Sequence, residues 1–198
     1  MRTLRYVLWA LVAVAGLMFG ALLVAPKDKP VLVAGEPFGQ PFTLVDQNGG
    51  PITEAAFRGQ PTAVFFGFTH CPEVCPTTLY ELNGWMEKLG AEGAALDAYF
   101  VTVDPQRDTP ELLKDYVTSI SSRIVGITGN PEDVDAMIKG FSVFAKKVPL
   151  DDGDYTMDHT ASIFLLGSDG QFVGTISYGE DPDNALAKLK RLVERNPV

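Results

Sequence analysis

The hydrophobic pattern separates the first part of the chain from the rest. Residues 6–25 form an uninterrupted apolar run of 20 residues without a charge. As a helix, this run would be about 30 Å long, which matches the hydrocarbon core of a bilayer. It exceeds the roughly 7–15 apolar residues of a cleaved leader, so we expect an uncleaved transmembrane signal anchor. Residues 26–40 are punctuated by proline, glycine and lysine, a pattern that predicts a tether.

Beyond the tether, segments with the periods of strands and helices alternate. "FTLVD" and the segment after "QNGG" predict a hairpin, because Asn48-Gly49 favours a tight turn between two strands. The apolar, β-branched and aromatic run at 62–68 is typical of a strand buried on both faces. Further strand predictions cover 97–103, 123–128 and a second hairpin at 162–178.

Four helices are predicted between and after these strands. The first begins at Pro76 and carries an apolar stripe on one face. The stripe consists of Leu79, Leu82, Trp85, Met86 and Leu89. Each of the other three begins where a capping side chain precedes a proline at the first helical position. These starts are Thr109-Pro110, Asn130-Pro131 and Asp181-Pro182, and the last helix should extend to about Glu194.

The order of these elements predicts the fold class. The strand at 62–68 feeds directly into a cysteine-bearing loop and then into a helix N-terminus, which is a thioredoxin-like arrangement. Alternating strands and helices give an α/β sandwich. We therefore expect residues 41–198 to form one thioredoxin-like α/β domain with an N-terminal hairpin extension, preceded by one transmembrane helix. The polar segment 146–159, rich in glycine and aspartate, predicts a long loop.

Charge bears on both the partners and the orientation of the chain. Residues 30–198 carry 12 basic and 24 acidic residues, a net charge of about −12. Such a body is poorly suited to release counterions from phosphates, so we expect no nucleic-acid partner. Two arginines precede the apolar run, and the positive-inside bias places residues 1–5 in the cytoplasm and the body outside it. The run begins too early for a mitochondrial transit peptide, which favours a bacterial inner membrane with the body in the periplasm.

Cys71 and Cys75, the two cysteines of the chain, lie four positions apart at the predicted strand-to-helix junction. The positive end of the helix dipole would lower the pKa of nearby thiols, and thiolates attack disulfides and bind metals. A structural disulfide is the alternative, but a bridge across three residues gives little chain-entropy stabilisation. We therefore expect a functional pair. A thioredoxin-type redox motif has two intervening residues rather than three, and a dithiol catalyst and a metal site both remain open.

His159 precedes the predicted strand at 162, where thioredoxin-like enzymes place a cis-proline opposite the dithiol. Two thiolates and an imidazole suit a soft or borderline metal. A closed zinc site would need a fourth protein ligand. The chain has no third cysteine, and His70 is adjacent to Cys71 and poorly placed to converge on the same ion. The chemistry therefore favours copper, as Cu(I) or Cu(II).

Three stretches occur in one order: "FGFTHCPEVCPTTL", "VTVDPQRDTPELLKDYV" and "YTMDHTASIFLLGSDGQFVG". From about Phe42 to the C-terminus, the chain resembles the Sco/SenC family of membrane-anchored copper-binding proteins. The resemblance implies delivery of copper to the dinuclear copper centre of cytochrome c oxidase, with a thiol-reducing role in some members. It would make Cys71 and Cys75 the thiolate ligands and His159 the imidazole ligand. The implied partners are the copper-bearing subunit of the oxidase, an upstream copper donor and a thiol reductant.

Other residues of these motifs have less specific predicted roles. Asp158 could orient the imidazole as an outer carboxylate, and His70 could tune the thiols. Asp104 is a further outer candidate. Together with Arg107 and Asp108 of "DPQRD", it fits a helix cap and an ion pair better than a partner-docking surface.

Two enzymatic alternatives use the same cysteines. A periplasmic thiol-disulfide oxidoreductase would need Cys71 and Cys75 but not His159. A peroxiredoxin-type peroxidase would want an activating arginine beside one cysteine, and "THCPEVC" supplies none. We therefore expect a metallochaperone rather than an enzyme. Copper(I) loading requires the reduced dithiol, so an oxidised form with a Cys71–Cys75 disulfide would not bind copper. We expect the loop at 146–159 to be mobile without copper and to order on binding.

Overall fold

The structure is a computed structural model that describes Tyr6, Trp9, residues 38–151 and residues 153–195. Tyr6 and Trp9 are helical and exposed. Over these described ranges, no helix is long and apolar enough to cross a membrane.

Apart from Tyr6 and Trp9, the predicted anchor at 6–25 lies outside the described residues, as does nearly all of the predicted tether at 26–40. The chain divides into two units, Met1–Val33 and Ala34–Val198. All of the elements that follow belong to the second unit.

The second unit is a mixed α/β domain. Its strands are β1 Thr43–Asp46, β2 Pro51–Thr53, β3 Thr62–Gly67, β4 Asp97–Thr102, β5 Ile124–Thr128, β6 Ala145–Pro149, β7 Tyr155–His159, β8 Ser162–Leu166 and β9 Phe172–Ser177. Its helices are α1 Val74–Lys88, α2 Ala91–Ala94, α3 Pro110–Ile120, α4 Pro131–Gly140 and α5 Pro182–Arg195. A 3₁₀ helix at Glu54–Phe57 follows β2.

Seven strands form one sheet in the order β2-β1-β5-β4-β3-β8-β9. Strands β3, β4 and β5 run parallel, and the remaining neighbours pair antiparallel. Every residue of β3 is buried, as expected for a strand with cover on both faces of the sheet. The predicted thioredoxin-like α/β arrangement and its β1–β2 hairpin extension are confirmed.

The predicted helix starts follow from local capping. The side chain of Thr109 accepts a hydrogen bond from the backbone N–H of Leu112, and that of Asn130 accepts one from Asp133. These bonds satisfy backbone donors that the first turn of a helix leaves unpaired. In α1 the prediction is corrected, because the helix begins at Val74 rather than Pro76.

The prediction of a long loop at 146–159 is wrong. This segment forms a two-stranded sheet in which β6 pairs antiparallel with β7, with Ala145 opposite His159 and Pro149 opposite Tyr155. Neither strand has a fully buried residue, so the segment lacks the apolar alternation that reveals a strand in a sequence. The hairpin already places His159 beside the cysteines, and metal binding does not have to order a loop around the ion.

Candidate metal centre

Cys71 and Cys75 lie where the central strand β3 ends and α1 begins. Cys75 is completely buried in the first turn of α1, and Cys71 is half-buried in the loop before it. The close approach of Cys75 to the strand requires the glycine at position 67. A Cβ at Gly67 would lie 2.8 Å from the sulfur of Cys75 and 2.6 Å from Cε2 of Phe100.

His159, the last residue of β7, completes a three-residue cluster. One ligand atom each from Cys71, Cys75 and His159 lies within 4.8 Å of the others. The His159 Nε2 is 3.5 Å from the sulfur of Cys75. The backbone N–H of Cys75 donates to the sulfur of Cys71 at 3.3 Å. The structure therefore brings together the three residues that the sequence singled out as metal ligands.

The imidazole of His159 is held so that Nε2 is available as a ligand. Its Nδ1 lies 3.1 Å from the carbonyl oxygen of Thr160. A carbonyl oxygen can only accept, so Nδ1 carries the proton and Nε2 keeps its lone pair. The rings of Phe65 and Phe68 contact the imidazole with centroids 6.1 and 5.8 Å away.

The two thiols are electrostatically unequal. The hydrogen bond from the Cys75 thiol, with smaller help from the backbone, lowers the pKa of Cys71 to about 4 against the effect of burial. The same hydrogen bond and burial raise the pKa of Cys75. The reduced pair therefore holds one thiolate, on the more exposed Cys71, which is a ready nucleophile or metal ligand.

A cavity of about 180 Å³ opens onto the cluster. Its walls come from the cysteine loop, with Phe68, Cys71 and Pro72, and from the hairpin, with Met157, Asp158 and His159. A metal ion or a metal-binding side chain of a partner protein can therefore reach Cys71 and His159 from solvent, whereas the completely buried Cys75 lies deeper.

His70 and Asp158 lie near the cluster but do not join it. The His70 side chain is 46% exposed, and its Nδ1 lies 3.1 Å from the hydroxyl of Thr69. Asp158 is exposed at the cavity wall. The hydrogen-bond partner of His159 Nδ1 is the carbonyl of Thr160 rather than the carboxylate of Asp158.

The predicted ion pair of the "DPQRD" segment is confirmed. Asp104 is 2% exposed and accepts hydrogen bonds from Arg107 Nε and, at 2.9 Å, from the hydroxyl of Tyr155. The cap of the following helix is Thr109. Asp108 has a different role, because it is completely buried beneath the cysteine loop.

Asp108 connects the cysteine loop to the end of β4. Its carboxylate accepts from the hydroxyls of Thr69 and Thr102, both at 2.6 Å, and from the backbone N–H of Thr69 at 3.2 Å. Burial raises the pKa of Asp108, partly offset by these hydrogen bonds. Sequence reasoning missed the roles of Thr69, Thr102 and Tyr155, because single polar residues distant in sequence give no periodic signal.

The cluster suits one soft ion with few protein ligands. Over the described part of the chain, no further histidine, cysteine or carboxylate joins the three ligand atoms. Thiolate is a soft ligand and imidazole a borderline one, and structural zinc sites usually have four protein ligands. The donor set therefore fits a copper ion better than a structural zinc ion.

Comparisons with known proteins give a family and similar structures that hold copper. The SCO1/SenC family model matches residues 32–194. The structure of Bradyrhizobium japonicum ScoI with copper bound is similar at a TM-score of 0.72 and 45% identity, covering 78% of this chain and 99% of that one. Yeast Sco1 with copper bound gives a TM-score of 0.73 and 32% identity, covering 80% and 90%.

A curated relative is matched over a shorter share of its length. The mitochondrial protein SCO2 of Saccharomyces cerevisiae is 33% identical over 160 residues, which are 79% of this chain and 53% of that protein. The chain spans about half the length of the first curated relatives that it matches.

Proposed function

Because the chain belongs to the SCO1/SenC family, we propose that it is a copper chaperone that delivers copper to the dinuclear copper centre of a cytochrome c oxidase. The observation that carries this proposal is the convergence of one ligand atom each from Cys71, Cys75 and His159 within 4.8 Å. The copper bound by the similar ScoI and Sco1 structures supports it.

The cluster fits the capture and release of a copper ion. Cys71 presents a thiolate at the cavity and would contact an incoming ion first. Cys75 would lose its proton as it binds, since the thiolate is the metal ligand. His159 would complete the set through Nε2. Release would begin at Cys71, because the ligands of a partner can approach it through the cavity.

Copper capture would be coupled to the oxidation state of the cysteines. Oxidation of the Cys71 thiolate and the Cys75 thiol to a Cys71–Cys75 disulfide removes two electrons and one proton and leaves no thiolate for the metal. A thiol reductant must therefore return two electrons before the chain can be reloaded. The proposed partners are this reductant, an upstream copper donor and the copper-bearing subunit of the oxidase.

The proposed location follows from the N-terminal sequence. Residues 1–5 would be cytoplasmic, 6–25 would anchor the chain in a bacterial inner membrane, and 26–40 would tether the domain at 41–198 in the periplasm. With this topology, the metal centre and the copper site of the oxidase would lie on the same side of the membrane. Added protease should cleave the domain in spheroplasts while leaving residues 1–5 protected, and an uncleaved domain would contradict the topology.

Copper affinity tests the proposed site. The reduced full-length chain in mild detergent is titrated with Cu(I) against a competing chelator. We expect one copper per chain and a large loss of affinity in Cys71→Ala, Cys75→Ala and His159→Ala. His70→Ala is the matched control, because His70 neighbours Cys71 but lies outside the ligand cluster. A His159→Ala variant that binds like the parent would refute the three-ligand site.

The inequality of the two thiols favours thiol-disulfide exchange as a second candidate. The Cys71 thiolate would attack a substrate disulfide, form a mixed disulfide and release one substrate thiolate. Cys75 would then attack the sulfur of Cys71 and release the second, so two electrons pass to the substrate and the chain ends as a disulfide. Reduction of a disulfide peptide that survives in His159→Ala would support this activity, and its loss there would oppose it.

A further inference from the structure

The segment that follows β4 contacts both halves of the metal centre. On one side, Asp108 bonds Thr69 at the start of the cysteine loop. On the other side, Asp104 and Arg107 bond Tyr155 on the hairpin that carries His159. One short segment of chain therefore links the element that supplies the sulfurs to the element that supplies the imidazole.

Arg107 holds the hairpin through two kinds of contact with Tyr155. The Cζ atom of its guanidinium lies 3.7 Å from the centroid of the Tyr155 ring, within the range of a cation–π interaction. Its Nη1 donates to the carbonyl oxygen of Tyr155 at 3.0 Å. Its Nε donates to Asp104, which also accepts from the Tyr155 hydroxyl at 2.9 Å. Tyr155 is therefore fixed at its ring, its backbone and its hydroxyl.

The hairpin depends on such side-chain contacts because it is not part of the main sheet. Among the described residues, β7 pairs with β6 alone. Tyr155 and His159 are the two ends of β7 and point to the same face, since side chains alternate along a strand. At about 3.3 Å per residue, the two residues are about 13 Å apart along the strand. A shift at Tyr155 would therefore change the direction of approach of His159.

We propose that Arg107 and Tyr155 form a clasp that positions His159 against the two cysteine sulfurs. Both are positioning residues, because neither belongs to the ligand cluster. The inference deepens the proposed copper-binding function and rests on it. It also gives the "DPQRD" segment a role in copper affinity, since Arg107 acts on the metal through His159.

A merely structural role for Arg107 would give a different result from the clasp. If Arg107 only stabilised the fold, its substitution would lower copper affinity equally whether or not position 159 is a histidine. If it acts through His159, its effect should disappear once that histidine is removed. A double-mutant cycle measures this difference.

The cycle uses Arg107→Lys in the full-length reduced chain in detergent, with and without His159→Ala. Lysine keeps the charge but lacks the planar guanidinium that donates to Asp104 and Tyr155 at the same time. Outer contacts of a metal-binding histidine typically change metal affinity by 10–100-fold, and we expect a loss of about tenfold in the parent background. In the His159→Ala background we expect a change of less than about twofold.

Arg123→Lys is the matched control. Arg123 also donates to backbone carbonyl oxygens, those of Gly93 and Leu96, but it precedes β5 at the opposite end of the parallel strands from the cysteine loop. Its copper affinity should equal that of the parent. Tyr155→Phe is the milder second variant, because it removes only the hydroxyl bond to Asp104, and its smaller loss should show the same dependence on His159.

A spectroscopic signature reports the imidazole directly. The chain has two histidines, so His159 Nε2 can be followed by ¹⁵N NMR with little overlap. Copper(I) should shift this resonance in the parent and in Arg123→Lys, and shift it less in Arg107→Lys. Equal shifts in all three would overturn the clasp.

The outcomes separate the clasp from the function on which it rests. A parent that binds copper through His159, together with an Arg107→Lys variant that binds equally well or loses affinity equally in both backgrounds, overturns the clasp alone. A parent whose copper binding does not depend on His159 overturns the proposed site and the clasp with it. An Arg107→Lys loss that vanishes in His159→Ala supports both.

Discussion

The contact between Gly67 and the sulfur of Cys75 allows a sharp prediction for Gly67→Ala. A Cβ at this position would lie 2.8 Å from that sulfur and 2.6 Å from Cε2 of Phe100. Both distances are shorter than real Cβ contacts, and all three residues are enclosed. Either the strand, the ring or the cysteine must therefore move.

The expected cost follows from overpacking. Forcing an extra methyl group into a well-packed core costs about 1–3 kcal/mol of unfolding free energy. For a domain of this size, each kcal/mol lowers the melting temperature by about 2–4 °C, so we expect a fall of about 2–12 °C. Because the Cys75 sulfur is one of the atoms that the added methyl group presses against, copper affinity should fall as well.

Thermal unfolding by circular dichroism and a Cu(I) competition titration are run on the full-length chain. Gly84→Ala is the matched control, since Gly84 lies in the same helix as Cys75 and a Cβ there meets nothing within 4 Å. Alanine is favoured over glycine in a helix by about 0.5–1 kcal/mol, so this variant should melt about 1–4 °C higher with unchanged copper affinity. A Gly67→Ala variant that matches the parent in melting temperature and copper affinity would refute the packing argument.

Three further predictions address other parts of the domain. The rate at which iodoacetamide alkylates Cys71 should be nearly independent of pH between 6 and 8, because the pKa of Cys71 is lowered to about 4. A rise in this rate of about 70-fold, as for a thiol of pKa 8.5, would contradict the prediction. Tyr116→Phe should leave the melting temperature unchanged or raise it, because the buried Tyr116 hydroxyl has no hydrogen-bond partner among the described residues. A loss of more than about 1 kcal/mol of unfolding free energy would show that the hydroxyl makes a hydrogen bond after all. Thr109→Ala should cost about 1 kcal/mol through the lost cap of α3 without changing copper affinity, whereas equal stability by denaturant titration would argue against the cap.

Much of the fold is readable from local signals in the sequence. The fully buried strand β3 is marked by its continuous apolar run, and Thr109 and Asn130 mark helix starts because the cap and the following proline are adjacent in sequence. The β6–β7 hairpin could not be predicted in this way. Both of its strands are at least partly exposed throughout, and a strand without a buried face carries no alternation to detect.

In the candidate site, the ligands could be predicted from the sequence but the contacts that support them could not. Cys71 and Cys75 stand out as the two cysteines of the chain, and the expected fold places His159 opposite them. The contacts that support the site were not predictable, because Thr69 and Asp108 are 39 residues apart and Asp104 and Tyr155 are 51 apart. Such polar pairs form only when folding brings the segment after β4 against the cysteine loop and the hairpin.

The proposed function requires that two cysteine sulfurs and one imidazole hold copper in this chain. The most direct measurement is X-ray absorption at the copper edge on the reduced full-length chain loaded with one equivalent of Cu(I). We expect two sulfur scatterers and one nitrogen scatterer, with the nitrogen lost in His159→Ala and retained in His70→Ala. A spectrum fitted by sulfur alone, or one that His159→Ala leaves unchanged, would contradict it.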